Sequence, residues 1–227
     1  MYLGESIAPF RVLEPQLAVI PWDVTGGRLI DSASAQAAGY PNLARWLQQA
    51  GRLWNEHGRG GMTFLQQIDY YGKLTAQFPI APLRVVYSKA GTLPACATIR
   101  SADAAIDHKL YWAVVNEDLE ARYLMGIFNS DCARSRVESL QSSGQWGPRD
   151  FDKLMLGLPI PEFDARLQLH RDLAAAAARA EEVASDVQLD EARYFTRLRQ
   201  DIRQALAEDG IAADIEALVE DLLGPAF

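Results

Sequence analysis

The sequence predicts an α+β fold, a mixed α/β body followed by a C-terminal helical segment. Three observations carry that expectation. Up to about residue 160, short β-prone runs punctuated by glycine and proline alternate with helical periods. Beyond that point, apolar residues recur at three- and four-residue spacings almost without a break. Between the two regimes, Leu158-Pro159-Ile160-Pro161 is held out of any helix by its prolines. The body is therefore expected at 1–160 and the tail at 161–227. With 227 residues, 49% of them hydrophobic and 23% charged, the chain has the composition of a folded protein able to bury a core.

Taken in order, residues 10–13 and 17–20 read as β-runs separated by Glu14-Pro15-Gln16, with Pro21, Gly26 and Gly27 as punctuation. Leu43, Trp46, Leu47, Ala50, Leu53 and Trp54 then trace an amphipathic helix opened by Pro41. It stops before Gly58-Arg59-Gly60-Gly61, where three glycines forbid a stable helix. Runs 84–88, 95–99 and 110–115 read as three strands, and Pro79, Pro82 and Pro94 fall outside them. Leu119, Tyr123, Leu124, Ile127 and Phe128 fit one buried helical stripe, and a further helix is expected over about 131–141. In the tail, Asp164 is expected to cap a helix reaching about 187, whose five alanines at 174–178 invite close approach by another helix. Asp190 is expected to cap the next helix, striped by Tyr194, Leu198, Ile202 and Leu206. Gly210 closes that one, and a third ends at Gly224-Pro225.

Composition excludes some function classes. No apolar run approaches eighteen residues, and the first residues lack the basic start and apolar stretch of a signal peptide. Cys96 and Cys132 make no disulfide framework, so a cytoplasmic protein with no membrane role is expected. Net charge is −8, which argues against indiscriminate nucleic-acid binding. Its distribution is uneven. The window 45–100 holds Arg45, Arg52, Arg59, Lys73, Arg84, Lys89 and Arg100 against Glu56 and Asp69, while the last half of the chain is strongly acidic. That basic window is either a solvated surface or a phosphate-contacting one.

Catalytic patterns are thin. His57, His108 and His170 lie far apart, with no Cys or carboxylate pair at metal-ligand spacing. Gly58-Arg59-Gly60-Gly61 has no preceding strand and no following Gly-Lys-Ser/Thr, so it reads as a connector rather than a phosphate loop. Cys96 sits mid-strand among apolar neighbours, and Cys132 has no histidine partner in view. Polar and aromatic residues cluster instead in three loops: Tyr87-Ser88-Lys89, Asp107-His108-Lys109, and Gln145-Trp146-Gly147-Pro148-Arg149. Such loops can hydrogen-bond phosphates and base edges, lysine and arginine matching guanine and glutamine matching adenine. They are equally what strand-end charges and a core-packed loop tryptophan would look like.

The runs Arg84 to Gly91 and Ile106 to Trp112 are followed by Glu120-Ala121-Arg122-Tyr123-Leu124, Phe128-Asn129-Ser130, a loop from Gly144 to Arg149, and Leu158-Pro159-Ile160-Pro161-Glu162-Phe163. This order resembles the C-terminal target-recognition (specificity) region of N6-adenine DNA methyltransferases from restriction–modification systems. It is also similar to the recognition domains of type I specificity subunits. The likeness runs from about 64 to 185. The catalytic Asn/Asp-Pro-Pro-Tyr/Phe loop and the glycine-rich strand–turn–helix for S-adenosylmethionine do not occur. The nearest strings, Tyr40-Pro41-Asn42-Leu43 and Leu158-Pro159-Ile160-Pro161, have the wrong residues.

The resemblance thus implies the reading part of a methylase without its catalytic part, and no enzyme on its own. It implies double-stranded DNA as ligand and an adenine methyltransferase catalytic domain or subunit, carrying S-adenosylmethionine, as partner. Its acidic helical tail would dock on that partner or on a second copy. The DNA-contacting residues it implies are Arg59, Lys73, Arg84, Tyr87, Lys89, Arg100, His108, Lys109, Gln145, Trp146 and Arg149. An alternative is a helical assembly subunit that oligomerises through the alanine-rich helix and the 194/198/202/206 stripe without touching DNA.

Overall fold

The structure, a computed structural model, describes residues 1–58, 60–91, 93–144, 147–151, 153–188 and 194–224. In chain order the elements are β1 (Ile7–Ala8), β2 (Arg11–Val12), β3 (Trp22–Asp23), β4 (Arg28–Leu29), α1 (Ser32–Ala37), α2 (Pro41–His57) and α3 (Phe64–Ile68). They continue with β5 (Arg84–Ser88), β6 (Cys96–Ile99), β7 (Leu110–Val114), α4 (Asp118–Asn129), α5 (Asp131–Glu138), β8 (Ser142–Gly144) and β9 (Gly147–Arg149). Three helices follow: α6 (Gln168–Asp186), α7 (Phe195–Asp209) and α8 (Ile211–Leu223). The fold is α+β, and no described helix is long and apolar enough to cross a membrane.

The chain divides into two compact units, residues 1–16 with 81–227, and residues 17–80. The boundary expected at 160 is not where this division falls. Helices beyond 160 share one core with the sheet, because the buried faces of α6, α7 and α8 meet the same side chains that α4 presents.

The larger unit is built on an antiparallel sheet in the order β6-β5-β7, with Val86 opposite Ala97 on one side and Trp112 on the other. β5 is central and all five of its residues are buried, so its two faces serve two cores. Alternation sends Val85 and Tyr87 to the helical core, while Val86 joins Tyr2, Ile7, Ile99 and Ile106 on the opposite face. The β1–β2 hairpin closes beside β6, where the Phe10 amide donates to the Cys96 carbonyl at 2.9 Å.

α4 lies under the sheet and α6 lies along α4. Gly126 makes their approach possible, since a Cβ there would stand 2.9 Å from Leu173 Cδ1. Leu173, Ala174, Ala177, Ala180 and Ala184 form the buried stripe of α6, so the alanine run finds its packing partner within the chain. Ile202 and Leu206 of α7, and Ile215 and Val219 of α8, complete the same core. Gly210 links α7 to α8 at φ 91°, a left-handed conformation that glycine adopts without a Cβ clash.

Several caps differ from expectation. α6 opens at Gln168 rather than near Asp164, whose carboxylate is bound instead by the side chain and amide of Arg166. That ion pair and amide bond hold the Asp164 carboxyl down at about 2. At the other end of α6, Arg11 Nη1 donates to the carbonyls of Ala184 and Val187 at 2.8 and 2.7 Å, placing a cation on the negative end of the helix dipole. α5 is shorter than expected and ends at Glu138; it is capped by Ser130 Oγ and by Glu216, which accepts from the Asp131 and Cys132 amides. Asp190, expected to cap α7, lies outside the described residues.

The smaller unit, 17–80, packs Ile30, Ala35, Ala44 and Leu47 around α1 and α2, with Phe64 and Leu65 against them. α2 covers the helix expected from Pro41, but only Ala44 and Leu47 are fully buried, and Trp46 and Leu53 face solvent. The 17–20 run forms no strand, and its Leu17 side chain is fully exposed. α1, capped by Asp31 Oδ1 on the Ser34 amide at 2.7 Å, has no counterpart in the sequence pattern because six residues give no readable period.

Candidate nucleic-acid interface

Two of the three polar loops, and Phe151 just after β9, meet at one end of the sheet. β5 leaves the sheet at Ser88 and β7 enters it at Leu110, so antiparallel pairing brings Lys89 beside Lys109. The Lys89 amide donates to the Lys109 carbonyl at 3.1 Å, and the Lys89 carbonyl accepts from the Phe151 amide at 2.8 Å. Phe151 closely follows the β8–β9 hairpin, which runs Ser142 against Arg149. Main-chain bonds therefore tie Lys89, the 107–109 turn and the segment just after β9 together.

The side chains there are set by the same local chemistry. The Asp107 carboxylate bonds His108 Nδ1 at 2.8 Å through one oxygen and the Lys109 amide at 3.3 Å through the other. This fixes the turn with His108 and Lys109 exposed. Ser88 Oγ donates to the Ala90 carbonyl at 2.8 Å and starts the neighbouring loop. From beneath, α7 supplies two arginines that no sequence motif singles out. Arg203 donates to the Pro94 carbonyl, and Arg199 donates to the carbonyls of Ile7 and Gly4 at 2.9 and 2.7 Å. Burial, together with the neighbouring Arg203 cation, pulls Arg199 down to about 10, and burial lowers Arg203 as well. Their one visible signal in the sequence is the four-residue spacing on one helix.

The other residues expected to contact DNA have different roles. Arg84 is 1% exposed, and its guanidinium donates to the Ala104 and Ser101 carbonyls at 3.1 and 2.7 Å, so it is a buried brace rather than a phosphate contact. Tyr87 is buried too, stacked on Tyr111 at 5.4 Å and packed against Phe128. Arg100 is exposed but held by carboxylates, at 2.6 Å from Asp118 and 2.7 Å from Glu181, in a network that Arg122 shares. Lys73 is exposed on the smaller unit. Arg149 is on β9, paired with Ser142. Arg59, Gln145 and Trp146 lie outside the described residues.

The residues that carry the methylase resemblance form the frame around this sheet. Tyr123 of α4 donates its hydroxyl to the Pro161 carbonyl at 2.9 Å, and its ring packs on His170 and Phe163. Asn129 binds β6 as a further strand would, accepting from the Cys96 amide and donating to the Cys96 carbonyl, each at 2.9 Å. Ser130 caps α5 through the Ala133 amide. Tyr123 thus ties α4 to the 159–161 stretch, and Asn129 ties the other end of the same helix to β6.

Two reactive groups, Cys96 and His170, are enclosed within the fold. Cys96 is buried, and desolvation pushes its thiol far above the ordinary range. His170 is buried, and its Nδ1 accepts from the Asp164 amide at 3.0 Å. No group of three or more His, Cys, Asp or Glu among the described residues is arranged to hold a metal ion. An open cavity of about 550 Å³ in the smaller unit is lined by Leu29, Met62, Leu65, Gln66 and Asp69 to Tyr71. Its one carboxylate, Asp69, accepts from the Leu74 and Thr75 amides and from Thr75 Oγ1. Gly58 caps the end of α2, and Leu158 to Pro161 is an extended stretch tied to Tyr123.

No protein-family model matches the chain, and no curated protein matches it.

Proposed function

We propose that this chain is the sequence-specific DNA-recognition module of a restriction–modification adenine methyltransferase, acting with a separate catalytic domain or subunit that binds S-adenosylmethionine. The single observation that carries the reading is the main-chain junction of Lys89, Lys109 and Phe151, which gathers the polar loop regions of the sequence at one sheet end. Loops held by a rigid sheet are the usual place for binding residues. In this reading Lys89, His108 and Lys109 contact phosphates and base edges, and the segment just after β9 lies alongside them. Arg84, Tyr87 and Arg100 leave the contact set, and Arg199 and Arg203 enter as positioning residues that hold the neighbouring backbone. The two thiols without a disulfide suit a reducing cytoplasm.

The assembly alternative relies on the alanine-rich helix and the α7 stripe. Ala174, Ala177, Ile202 and Leu206 are buried inside the unit, which leaves Tyr194 exposed and Leu198 half-buried at the start of that stripe. A methylase partner would meet the remaining acidic outer faces of α6 to α8.

The test is a duplex-binding titration by fluorescence anisotropy across a range of salt. Lys89→Ala with Lys109→Ala is expected to weaken binding and lower the magnitude of the salt slope by about two, one for each lysine–phosphate pair removed. Unchanged affinity and unchanged slope would remove the sheet end from the DNA interface.

A further inference from the structure

The 17-residue helix α2 has more surface than the smaller unit can cover. Its inward seam is Leu43, Ala44, Leu47, Ala50 and Trp54, and Trp54 Nε1 pins the end of the helix to the Met62 carbonyl at 2.7 Å. On the opposite side, Asn42, Arg45, Gln49 and Arg52 are all exposed. Steps of three, four and three residues set them in one stripe along the helix, about 15 Å long at 1.5 Å per residue. Gln49 and Arg52 make no hydrogen bond or ion pair among the described residues, and Arg45 reaches only Asn42, at 3.5 Å. From Asn42 to Arg52 the stripe is cationic and rich in amides, and Glu56, exposed one turn beyond Arg52, is the one carboxylate of α2.

Its mounting is also informative. α1 and α2 are joined by Ala38, Gly39 and Tyr40, with Gly39 at φ 81° making the turn, so a short helix supports the start of a long exposed one. Pro41 at the first helical position fixes where that helix begins.

We infer that α2 is a second nucleic-acid contact element, presenting Asn42, Arg45, Gln49 and Arg52 to the major groove of duplex DNA. A major groove admits an α-helix, and these residue types match its chemistry: arginine is bidentate to guanine, asparagine and glutamine to adenine. A stripe of about 15 Å spans roughly four base-pair steps. The inference rests on DNA being the ligand, but it uses residues of the smaller unit that the sheet-end reading does not involve. A protein partner seated on Trp46 and Leu53, which α2 also exposes, is the competing outcome and would leave DNA binding unchanged in a variant of the stripe.

The experiment compares full-length wild type, Lys89→Ala/Lys109→Ala and Arg45→Ala/Gln49→Ala/Arg52→Ala for binding to a randomised duplex pool, with the bound fraction sequenced. The α2 variant is expected to bind at least about tenfold more weakly, to show a salt slope smaller by up to about two, and to lose preference at a block of adjacent positions. All three side chains are exposed, so its melting temperature should match wild type; if it does not, Gln49→Ala alone decides the matter through the loss of one preferred position. Unchanged affinity and preference in the α2 variant, with weakened binding in the lysine variant, overturns this inference and leaves the sheet-end reading standing. The converse pattern overturns the sheet end and keeps α2. A wild type that binds no duplex at low salt overturns both.

Discussion

Arg84 sits on the central strand of the sheet with its guanidinium turned to two main-chain carbonyls, those of Ala104 and Ser101. Removing it leaves the buried Ala104 carbonyl and the half-buried Ser101 carbonyl without their donor, so Arg84→Ala is expected to cost about 2–4 kcal/mol of stability. Chemical denaturation checks this, with a lowered midpoint as the predicted result. Tyr123→Phe should be milder, losing the single bond to Pro161 and about 1 kcal/mol. Neither role is legible in the sequence. Arg84 has the pattern of a surface cation because strand alternation gives the face of a residue, and here both faces of β5 are covered. Tyr87 is hidden for the same reason. Lys89, His108 and Lys109 stand just outside the strand runs, with His108 and Lys109 exposed and Lys89 half-buried.

At the scale of elements, β5, β6 and β7 are legible almost to the residue, since β-branched and aromatic runs there are bounded by proline, glycine and polar turns. α2, α4, α6, α7 and α8 follow from their apolar period, whereas α1 and the strand pairs of two residues are too short to have one. The α4–α6 packing depends on Gly126, and two substitutions separate its causes. Gly126→Ala gains about 1 kcal/mol of helix propensity but sets a Cβ 2.9 Å from Cδ1 of the fully buried Leu173, so a net destabilisation below about 1 kcal/mol is expected. Gly126→Val adds β-branching against the same fully buried leucine and should destabilise by about 1–3 kcal/mol. Thermal melting of the pair is the check; equal destabilisation in both would place the effect in the backbone instead of the helix packing.

For the whole molecule, the tail is part of the fold rather than an appendage. Leu173, Ile202, Ile215 and Val219 come from beyond residue 160 and are buried with Val85, Tyr123 and Ile127 from before it. Each large aliphatic removed from such a core costs about 2–5 kcal/mol, and a domain of this size is stable by only about 5–15 kcal/mol. A 1–160 fragment is therefore expected to show no cooperative thermal transition, and a sharp transition in that fragment would restore the division at 160. The sequence pattern suggests that division because a proline-rich stretch precedes continuous helix, but sequence alone does not tell which surface a later helix covers. The unit formed by 17–80 is invisible for the complementary reason: residues 1–16 return to pack with 81–227, and chain order conceals that closure. The same closure brings Ile7 and Gly4 to Arg199, so the sheet end proposed to read DNA is braced by both ends of the chain.

Selection from a randomised duplex pool, with sequencing of the fraction bound by the full-length wild-type protein at physiological salt, tests the central proposal most directly. Enrichment of a short motif that disappears in Lys89→Ala/Lys109→Ala is the predicted result. A bound fraction with no enriched motif, or a motif that the lysine variant retains in full, would contradict sequence reading by the sheet end.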